Sequence, residues 1–371
     1  MRITYIAAAQ IPSRAAQSIQ VMRMGQAFAE LGHAVTLIVP SSPRREDVFN
    51  YYGVEPSFSI KRLPRLRLKE WGLSLWGLHA AFEAKRCKPD LVYCRQVHAC
   101  YFAALLGFRV ILEIHEPPNA LLSKRFFRRL IAMPGLVRIV TNSKALGSLL
   151  EREFGLGNDR LLAAPNGAED LGYIPAAASR NGIRLQVGYV GHLYGGRGIE
   201  LIMHMVRACP WADFHLVGGT DEDLKIWRSR FQGFSNVTLH GFVPPFMAER
   251  YRQLCDVLVA PYQRETLTRS RRNQAGYMSP LKLFEYMASG RAILCSDLPV
   301  LHEIVQEGMT ALLCDPDKPE EWASALQRLK VDPDLRRYLS ENARTAFLRD
   351  FTRTARATKV LSGVMNSNRG D

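Results

Sequence analysis

Short apolar runs recur along the first half of the chain, separated by segments whose pattern predicts helices. The runs lie at residues 2–9, 34–39, 91–93, 110–114 and 139–141. Runs of this length are typical of strands that are buried on both faces of a parallel sheet. The sequence therefore predicts an α/β domain with helices on both faces of the sheet.

Serine and glycine residues indicate where some of these helices begin and end. Ser18 is placed to cap a helix over residues 19–31, and Gly32 to end it. Ser143 is placed to cap a later helix in the same way. These signals strengthen the strand–helix alternation that the apolar runs suggest.

The pattern stops at residues 173–183, which are mostly small or polar, and then restarts. Strands are predicted at 186–190, 214–217, 237–239, 257–260 and 292–295, and helices at 199–208, 221–231, 247–255 and 281–289. We therefore expect two Rossmann-like, doubly wound domains, 1–172 and 184–347, joined by a linker at 173–183. If they face each other, ligands would bind in a central cleft outside the carboxyl ends of the strands.

The composition agrees with a globular protein of this size. The 371 residues are 47% hydrophobic and 23% charged, both ordinary values. No apolar run reaches the ~18–20 residues of a membrane span, and the first strand lacks the features of a signal peptide. Seven cysteines without a C-x-x-C pair predict buried free thiols in a reducing compartment, and we expect a cytoplasmic protein without a metal site.

The formal net charge of +14 is unevenly distributed. Residues 1–175 carry +9, and the remainder carries +5. Such an excess suits nucleic acid, an anionic membrane or a phosphorylated substrate. Because no nucleic-acid motif with interleaved aromatic residues occurs, we expect no nucleic-acid partner.

A glycine-rich turn follows the predicted strand at 186–190. It contains Gly191, Gly196 and Arg197 and leads into a predicted helix. Glycines let the backbone approach a ligand, the free N–H groups of a helix start attract phosphate, and arginine adds a forked positive charge. The alternative is an ordinary strand–helix turn with a surface arginine.

The segment 279–290 predicts a short helix with unusual charges. Ser279 would cap it and Gly290 would end it. Lys282 and Glu285 share one face of this helix. The alternative is a surface ion pair, but Lys282 lies in the first turn, where the helix dipole disfavours a cation unless an anion binds there.

His115 follows the predicted strand at 110–114, at the edge where ligand-binding residues lie in such folds. A structural histidine is the alternative.

In order and spacing, these segments resemble family 4 of the nucleotide-sugar glycosyltransferases, which have the GT-B fold. The resemblance covers nearly the whole chain and is strongest at 279–290, 292–299 and 303–305. Weaker landmarks follow in the family's order: Pro165-Asn-Gly167, Gly191 and Gly198, Val217-Gly-Gly219, His240–Val243 and Asp256–Pro261.

The resemblance implies roles for individual residues. Glu285 would bind the nucleotide ribose, Arg197 would neutralise the diphosphate with help from Lys282, and His115 would lie near the transferred sugar. His115, Arg197 and Lys282 are thus the catalytic candidates. The backbone of Val243 would meet the base, and N–H groups around Ser279 and Leu281 the diphosphate. The donor-binding candidates are Gly191, His192, Gly196, Val243, Ser279, Leu281 and Glu285.

Two residues and one loop depart from the family's pattern. His192 occupies the place of a frequent second basic residue, and Tyr277 that of a glutamate eight positions before Glu285. Residues 10–17 replace the glycine-rich first loop. Sugar recognition by that glutamate and acceptor contacts by that loop are therefore not carried over.

The implied activity is a retaining transfer of a hexose-type sugar from a nucleoside-diphosphate sugar to a saccharide or lipid-linked acceptor, in cell-surface polysaccharide or glycoconjugate synthesis. No cofactor is implied besides the donor. Asp-x-Asp spacings at 221–223, 315–317 and 332–334 are explained as a helix start and two turns, so we expect a metal-independent enzyme. No carboxylate nucleophile is evident, and the resemblance implies front-face attack with the leaving phosphate as base.

Two other functions remain open: a nucleotide-sugar epimerase, which needs no acceptor, and a non-catalytic sugar-nucleotide binder, which Tyr277 and His192 would suit.

A helix over residues 350–364 is expected to return to the first domain as part of a C-terminal segment, 348–371. The basic, apolar segments 123–131 and 61–76 suggest peripheral contact with the inner face of the membrane. Packing of Phe126 and Phe127 onto the sheet is the alternative.

Overall fold

The computed structural model describes residues 1–13, 15–43, 46–65, 69–170, 172, 184–266 and 273–364. They form two compact units. The first contains the described residues of Met1–Pro165 and Arg353–Asp371, and the second contains those of Asn166–Thr352. The predicted linker, 173–183, lies outside the described residues, as do the last seven residues of the C-terminal segment.

The first unit is built on a seven-stranded parallel sheet. Its strands are β1 (Arg2–Ile6), β2 (Ala34–Pro40), β3 (Ser59–Leu63), β4 (Leu91–Cys94), β5 (Val110–Ile114), β6 (Leu136–Thr141) and β7 (Leu161–Ala163). They are ordered β3-β2-β1-β4-β5-β6-β7. The direction of the strand order therefore reverses between β1 and β4, as in doubly wound folds.

Helices connect these strands: α1 (Ala16–Glu30), α2 (Val48–Tyr52), α3 (Lys69–Cys87), α4 (Val97–Leu105), α5 (Leu121–Leu130) and α6 (Lys144–Phe154). In the core, the rings of Tyr5, Phe28 and Tyr93 pack edge to face, with centroids 5.0–6.2 Å apart. Aromatic edge-to-face packing adds to the stabilisation that burial alone provides.

The second unit repeats the architecture with six parallel strands. They are β8 (Leu185–Val190), β9 (Ala212–Val217), β10 (Val237–Gly241), β11 (Val257–Ala260), β12 (Ala292–Ser296) and β13 (Leu312–Cys314), ordered β10-β9-β8-β11-β12-β13. The helices are α7 (Ile199–Ala208), α8 (Asp221–Arg230), α9 (Pro245–Leu254), α10 (Leu281–Ser289), α11 (Pro319–Val331) and α12 (Pro333–Ala346). The strand order reverses between β8 and β11.

After α12, a π-helical turn over Phe347–Phe351 precedes the last helix, α13 (Arg353–Leu361). The Phe351 ring packs on Phe284 of α10, so the π turn stays with the second unit. Helix α13 lies in the first unit and packs on α1. The return to the first unit thus begins at Arg353 rather than at residue 348.

Of the two predicted serine caps of the first unit, one is confirmed and one is wrong. Ser143 caps α6 as predicted, accepting a hydrogen bond from the Leu146 N–H at 3.0 Å. The prediction for Ser18 is wrong, because α1 begins earlier, at Ala16. The Ser18 hydroxyl lies within the helix and donates instead to the Gln10 carbonyl at 2.8 Å.

The basic helix α5 turns its apolar side inward. Phe127 and Leu130 are fully buried, and Phe126 packs against the aromatic side chains of α4. Arg128 and Arg129 are exposed. Phe127 and Leu130 are therefore not available to a membrane, whereas membrane contact through the cations of segment 123–131 stays a prediction.

All seven cysteines are free, and six of them are buried, which confirms the expected thiols. Across the described residues, no helix combines the length and apolar character that a membrane crossing requires.

Candidate functional site

The candidate donor residues gather at the carboxyl ends of β8 and β11, where the strand order of the second unit reverses. Gly191 directly follows β8, and Tyr262 lies two residues beyond β11. Val243 is half-buried, two residues beyond the edge strand β10. Doubly wound folds bind ligands at this position.

The glycine-rich turn fits into its surroundings only because it lacks side chains at key positions. Gly198 caps α7 with a φ of 77°, and a Cβ atom there would lie 1.8 Å from the Pro261 carbonyl oxygen. A Cβ atom on Gly218 would lie 2.1 Å from the Gly191 carbonyl oxygen. Gly196 has a φ of 79°, which also favours glycine. The turn is therefore wedged between the ends of β9 and β11.

Lys282 occupies an aromatic enclosure beside this turn. Its Nζ lies 3.5 Å from the centroid of the Tyr189 ring and 5.3 Å from that of Tyr262. The side chain is buried, and Nζ has no hydrogen-bond partner among the described residues. Burial, with Arg197 nearby, holds the pKa of Lys282 well below its usual range. An anion entering here would find an unpaired amine.

Arg197 lies near Lys282 and is partly engaged. Its Nη2 donates to the Tyr194 hydroxyl at 2.7 Å, and its guanidinium carbon lies 4.9 Å from the centroid of that ring. The Nε atom is buried without a hydrogen-bond partner in the described part of the chain. His192 is exposed. Its ring centroid lies 5.2 Å from that of Tyr194, with the two rings tilted by 32°.

Helix α10 begins beside these cations. Leu281 is its first residue and Gly290 ends it in the left-handed conformation, as predicted. Ser279 does not cap this helix, contrary to prediction, because its Oγ accepts from the Asn166 N–H at 2.9 Å. The Asn166 side chain also donates to the Ser279 carbonyl at 2.7 Å. The first N–H groups of an α-helix have no partner within it and can meet an anion.

Glu285 pairs with Arg252 rather than with Lys282. Arg252 Nη1 lies 3.2 Å from Glu285 Oε2, and its Nε donates to Glu249 at 2.9 Å. The Glu285 side chain is 38% exposed, whereas that of Arg252 is 5% exposed. The buried arginine therefore fixes a carboxylate that still reaches solvent.

His115 belongs to the first unit, whereas the other candidate residues belong to the second. It follows β5, and its Nε2 lies 2.6 Å from Oε1 of the buried Glu113. Burial and the positive charge of Arg95 lower its pKa to about 4, so His115 is neutral near pH 7.

Two of the three Asp-x-Asp pairs have the expected structural roles, whereas the pair 332–334, expected as a turn, begins a helix. Thr220 and Asp223 form a reciprocal cap at the start of α8. Asp315 and Asp317 both pair with Arg264. Asp332 caps α12. Within the described residues, no group of three or more His, Cys, Asp or Glu side chains is arranged to hold a metal ion.

Several neighbours of the candidates were missed from the sequence: Tyr189, Tyr262, Asn166, Arg252 and Glu113. Asn166 lies in the family landmark Pro165-Asn-Gly167, and Glu113 lies in the predicted strand that precedes His115, so both could have been considered from the sequence. Tyr189 and Tyr262 are far apart in sequence, and only the pairing of β8 with β11 brings them together.

Comparison with known proteins identifies the family. The profile of Glycosyltransferase Family 4 matches residues 17–170, and that of Glycosyl transferases group 1 matches residues 184–332. The chain belongs to the family 4 type of glycosyltransferase. Together the two profiles cover most of both units, which confirms the resemblance noted from the motifs.

A curated relative is D-inositol 3-phosphate glycosyltransferase of Paenarthrobacter aurescens (strain TC1), 23% identical over 255 residues. The match covers 64% of this chain and spans only 59% of the relative's length.

Solved structures show the same GT-B fold. Anabaena HepE in complex with UDP superposes with a TM-score of 0.72 at 14% identity, covering 98% of this chain and 99% of HepE. The lipopolysaccharide outer core galactosyltransferase WaaB superposes with a TM-score of 0.69 at 13% identity, covering 97% and 98%.

Proposed function

We propose that this family 4 glycosyltransferase transfers a sugar from a nucleoside-diphosphate sugar to an acceptor. One observation carries the proposal: the buried Lys282 amine has no hydrogen-bond partner in the described structure, yet it lies beside Arg197 and the start of α10. A buried cationic group without a partner is costly unless a ligand supplies the counter-charge. A diphosphate would do so.

The same arrangement suggests how the leaving group is stabilised without a metal. Departure of a nucleoside diphosphate builds negative charge on its β-phosphate. With a diphosphate bound, Lys282 would take up a proton and join Arg197 and the first N–H groups of α10 in a buried setting, where such stabilisation is strongest. We therefore propose that these residues take the place of a divalent ion.

Other parts of the donor would be bound around this centre. Glu285, held by Arg252, would accept hydrogen bonds from the ribose diol. The backbone of Val243 would meet the base. Gly191, Gly196 and His192 would line the phosphates, and His115 would lie near the transferred hexose.

Retention of the anomeric configuration is part of the proposal. A double displacement would need a free carboxylate nucleophile. Glu113 has several partners and is 1% exposed, while Glu285 is paired with Arg252. Neither is suited to that role, which favours front-face attack with the leaving phosphate as base.

We propose a saccharide or lipid-linked acceptor in cell-surface polysaccharide or glycoconjugate synthesis. The name of one similar protein supports this class, since WaaB is a galactosyltransferase of the lipopolysaccharide outer core. A cytoplasmic protein on the inner face of the membrane would meet such acceptors.

The first unit also offers a surface for that membrane. On α3, Trp71, Leu75 and Phe82 are exposed along one side. Helix α4 packs on both α3 and α5, and α5 presents Arg128 and Arg129. We propose that the α3 side chains enter the interface and the α5 cations bind anionic headgroups, with the acceptor bound close by.

Incubation with a panel of nucleotide sugars and saccharide acceptors tests the activity. We expect a lengthened acceptor and a released nucleoside diphosphate for at least one donor. An isomerised donor sugar would show an epimerase instead, and donor binding without turnover a non-catalytic binder. The anomeric configuration of the product, read by proton NMR, tests retention.

A further inference from the structure

A buried carboxylate lies behind His115. Glu113, on β5, is 1% exposed, and its Oε1 receives both His115 Nε2 at 2.6 Å and Arg356 Nη2 at 2.9 Å. Its Oε2 accepts from the Tyr93 hydroxyl at 2.5 Å. A buried carboxylate survives in the ionised state when it is hydrogen-bonded and paired in this way. Because Arg356 pairs with Glu113, the carboxylate that contacts His115 is ionised.

Arg356 reaches this carboxylate from α13, the helix by which the chain returns to the first unit. Its Nε donates to the carbonyl oxygens of Pro165 at 3.0 Å and Ala164 at 3.3 Å. The guanidinium is therefore held between the backbone and Glu113. A planar, forked cation fixed at both ends holds its partner carboxylate in one place.

The charged side chains around His115 are mostly positive: Arg356 and Arg95 face the single carboxylate of Glu113. Arg95 Nε lies 3.9 Å from Glu113 Oε1, so Glu113 faces a second arginine besides Arg356. The other ionisable groups packed nearby, Tyr93 and Tyr5, have pKa values raised by burial and stay neutral. Because the two arginines compensate the charge of Glu113, this carboxylate does not stabilise a doubly protonated His115. Burial lowers the pKa of His115 to about 4.

The contact also determines which ring nitrogen carries the single proton. An ionised carboxylate only accepts hydrogen bonds, so His115 Nε2 must be the donor. Nδ1 then carries a lone pair. In the described structure Nδ1 has no hydrogen-bond partner, and 23% of the side chain is exposed.

We propose that Glu113 and Arg356 are positioning residues that hold His115 as a neutral imidazole protonated on Nε2, so that Nδ1 accepts a hydrogen bond from a hydroxyl group of the transferred sugar. The identity of that partner rests on the proposed function, in which His115 lies near the sugar. The ligand class is accordingly a sugar with a hydroxyl that donates a hydrogen bond at this position.

NMR of protein with ¹⁵N-labelled histidine tests the arrangement without any donor. The chain has nine histidines, and His115→Gln assigns the signal. We expect wild-type His115 to be the Nε2-protonated tautomer near neutral pH. Glu113→Gln, which keeps the side-chain shape but removes the charge, should populate the Nδ1-protonated tautomer.

Arg356→Met should raise the pKa of His115 by about 1–2 units, because Glu113 loses its closest counter-charge. Arg356→Lys keeps the charge and should stay near the wild-type value. If Arg356→Met does not fold, the Glu113→Gln tautomer measurement still decides. A wild-type ring protonated on Nδ1, or tautomer populations unchanged in Glu113→Gln, would overturn the proposal.

The pH dependence of kcat/KM for sugar transfer provides a second test of the proposal. In Arg356→Met the acid limb of kcat/KM should move upward with the pKa of His115, because an imidazolium cannot accept a hydrogen bond, and it should stay in place in Arg356→Lys. Failure of the wild-type protein to transfer any sugar would refute the proposed function while leaving the NMR result standing, so the two failures are distinguishable.

Discussion

Lys282 is the residue on which most of the proposed chemistry depends. Burial and Arg197 hold its pKa well below the usual range, whereas a bound diphosphate would raise it. Binding should therefore take up a proton at pH values between the two pKa values, and affinity should fall as pH rises through that window.

Calorimetry of UDP, GDP and ADP in buffers of different ionisation enthalpy measures this uptake. Lys282→Met should abolish the part that belongs to the lysine, which separates it from protonation of the phosphate itself. A buffer-independent heat for the wild type throughout the neutral and mildly alkaline range would show that Lys282 does not change protonation.

Glu285 provides a separate test of the ribose contact. Glu285→Ala should weaken nucleoside-diphosphate binding by about 1.5–3 kcal/mol, roughly tenfold to a hundredfold, because a charge-assisted hydrogen bond is lost. Glu249→Ala is the control, since it removes the other carboxylate on Arg252. Equal loss in both variants would indicate that only the fold around Arg252 was disturbed.

At the scale of single residues, the sequence named candidate site residues but not the side chains that contact them. The conflict between Lys282 and the helix dipole was visible in the segment 279–290. Its enclosure by Tyr189 and Tyr262 was not, because those contacts depend on the register of β8 and β11. The ion pair of Lys282 with Glu285, which was the alternative at this helix, does not form, because Glu285 pairs with Arg252.

Among the elements, α13 supplies the clearest test. Deletion of residues 353–371 removes Arg356 and leaves Glu113 buried without its closest counter-charge. Breaking such a pair costs about 3–5 kcal/mol, so the truncated protein should unfold at lower temperature and lose transfer activity. Removal of residues 365–371 alone, which leaves α13 whole, is the control for thermal unfolding and turnover. Normal turnover without α13 would contradict its role.

Among the strands, prediction failed at sheet edges, and several helices, α2 to α4, α11 and α12, were not predicted either. The strands buried on both faces were recognisable as apolar runs, but the edge strands β3, β7 and β13 were missed. They are short, and β3 carries Lys61 and Arg62, of which Lys61 pairs with Glu83 of α3. The charged residues of β3 make its sequence resemble a loop, whereas β7 and β13 are apolar runs of only three residues.

For the whole molecule, the excess positive charge bears on location. Liposomes containing phosphatidylglycerol should sediment the protein at low salt and release it as salt increases. Binding should fall when Arg128 and Arg129 become glutamate, and also in Trp71→Ser. The same charge change at Arg228 and Arg230 of α8, in the second unit, is the control. Full recovery in the supernatant at low salt would contradict membrane contact.

We expect Lys282 and Arg197 to hold a nucleoside diphosphate without a metal ion, and calorimetry in excess chelator tests this. At least one of UDP, GDP and ADP should bind the wild type, about tenfold or more weakly in Lys282→Met. Lys330→Met, which changes an exposed lysine stacked on Trp211, should bind as the wild type does. Binding that appears only when magnesium or manganese is restored, or that is equal in Lys282→Met, would contradict the claim.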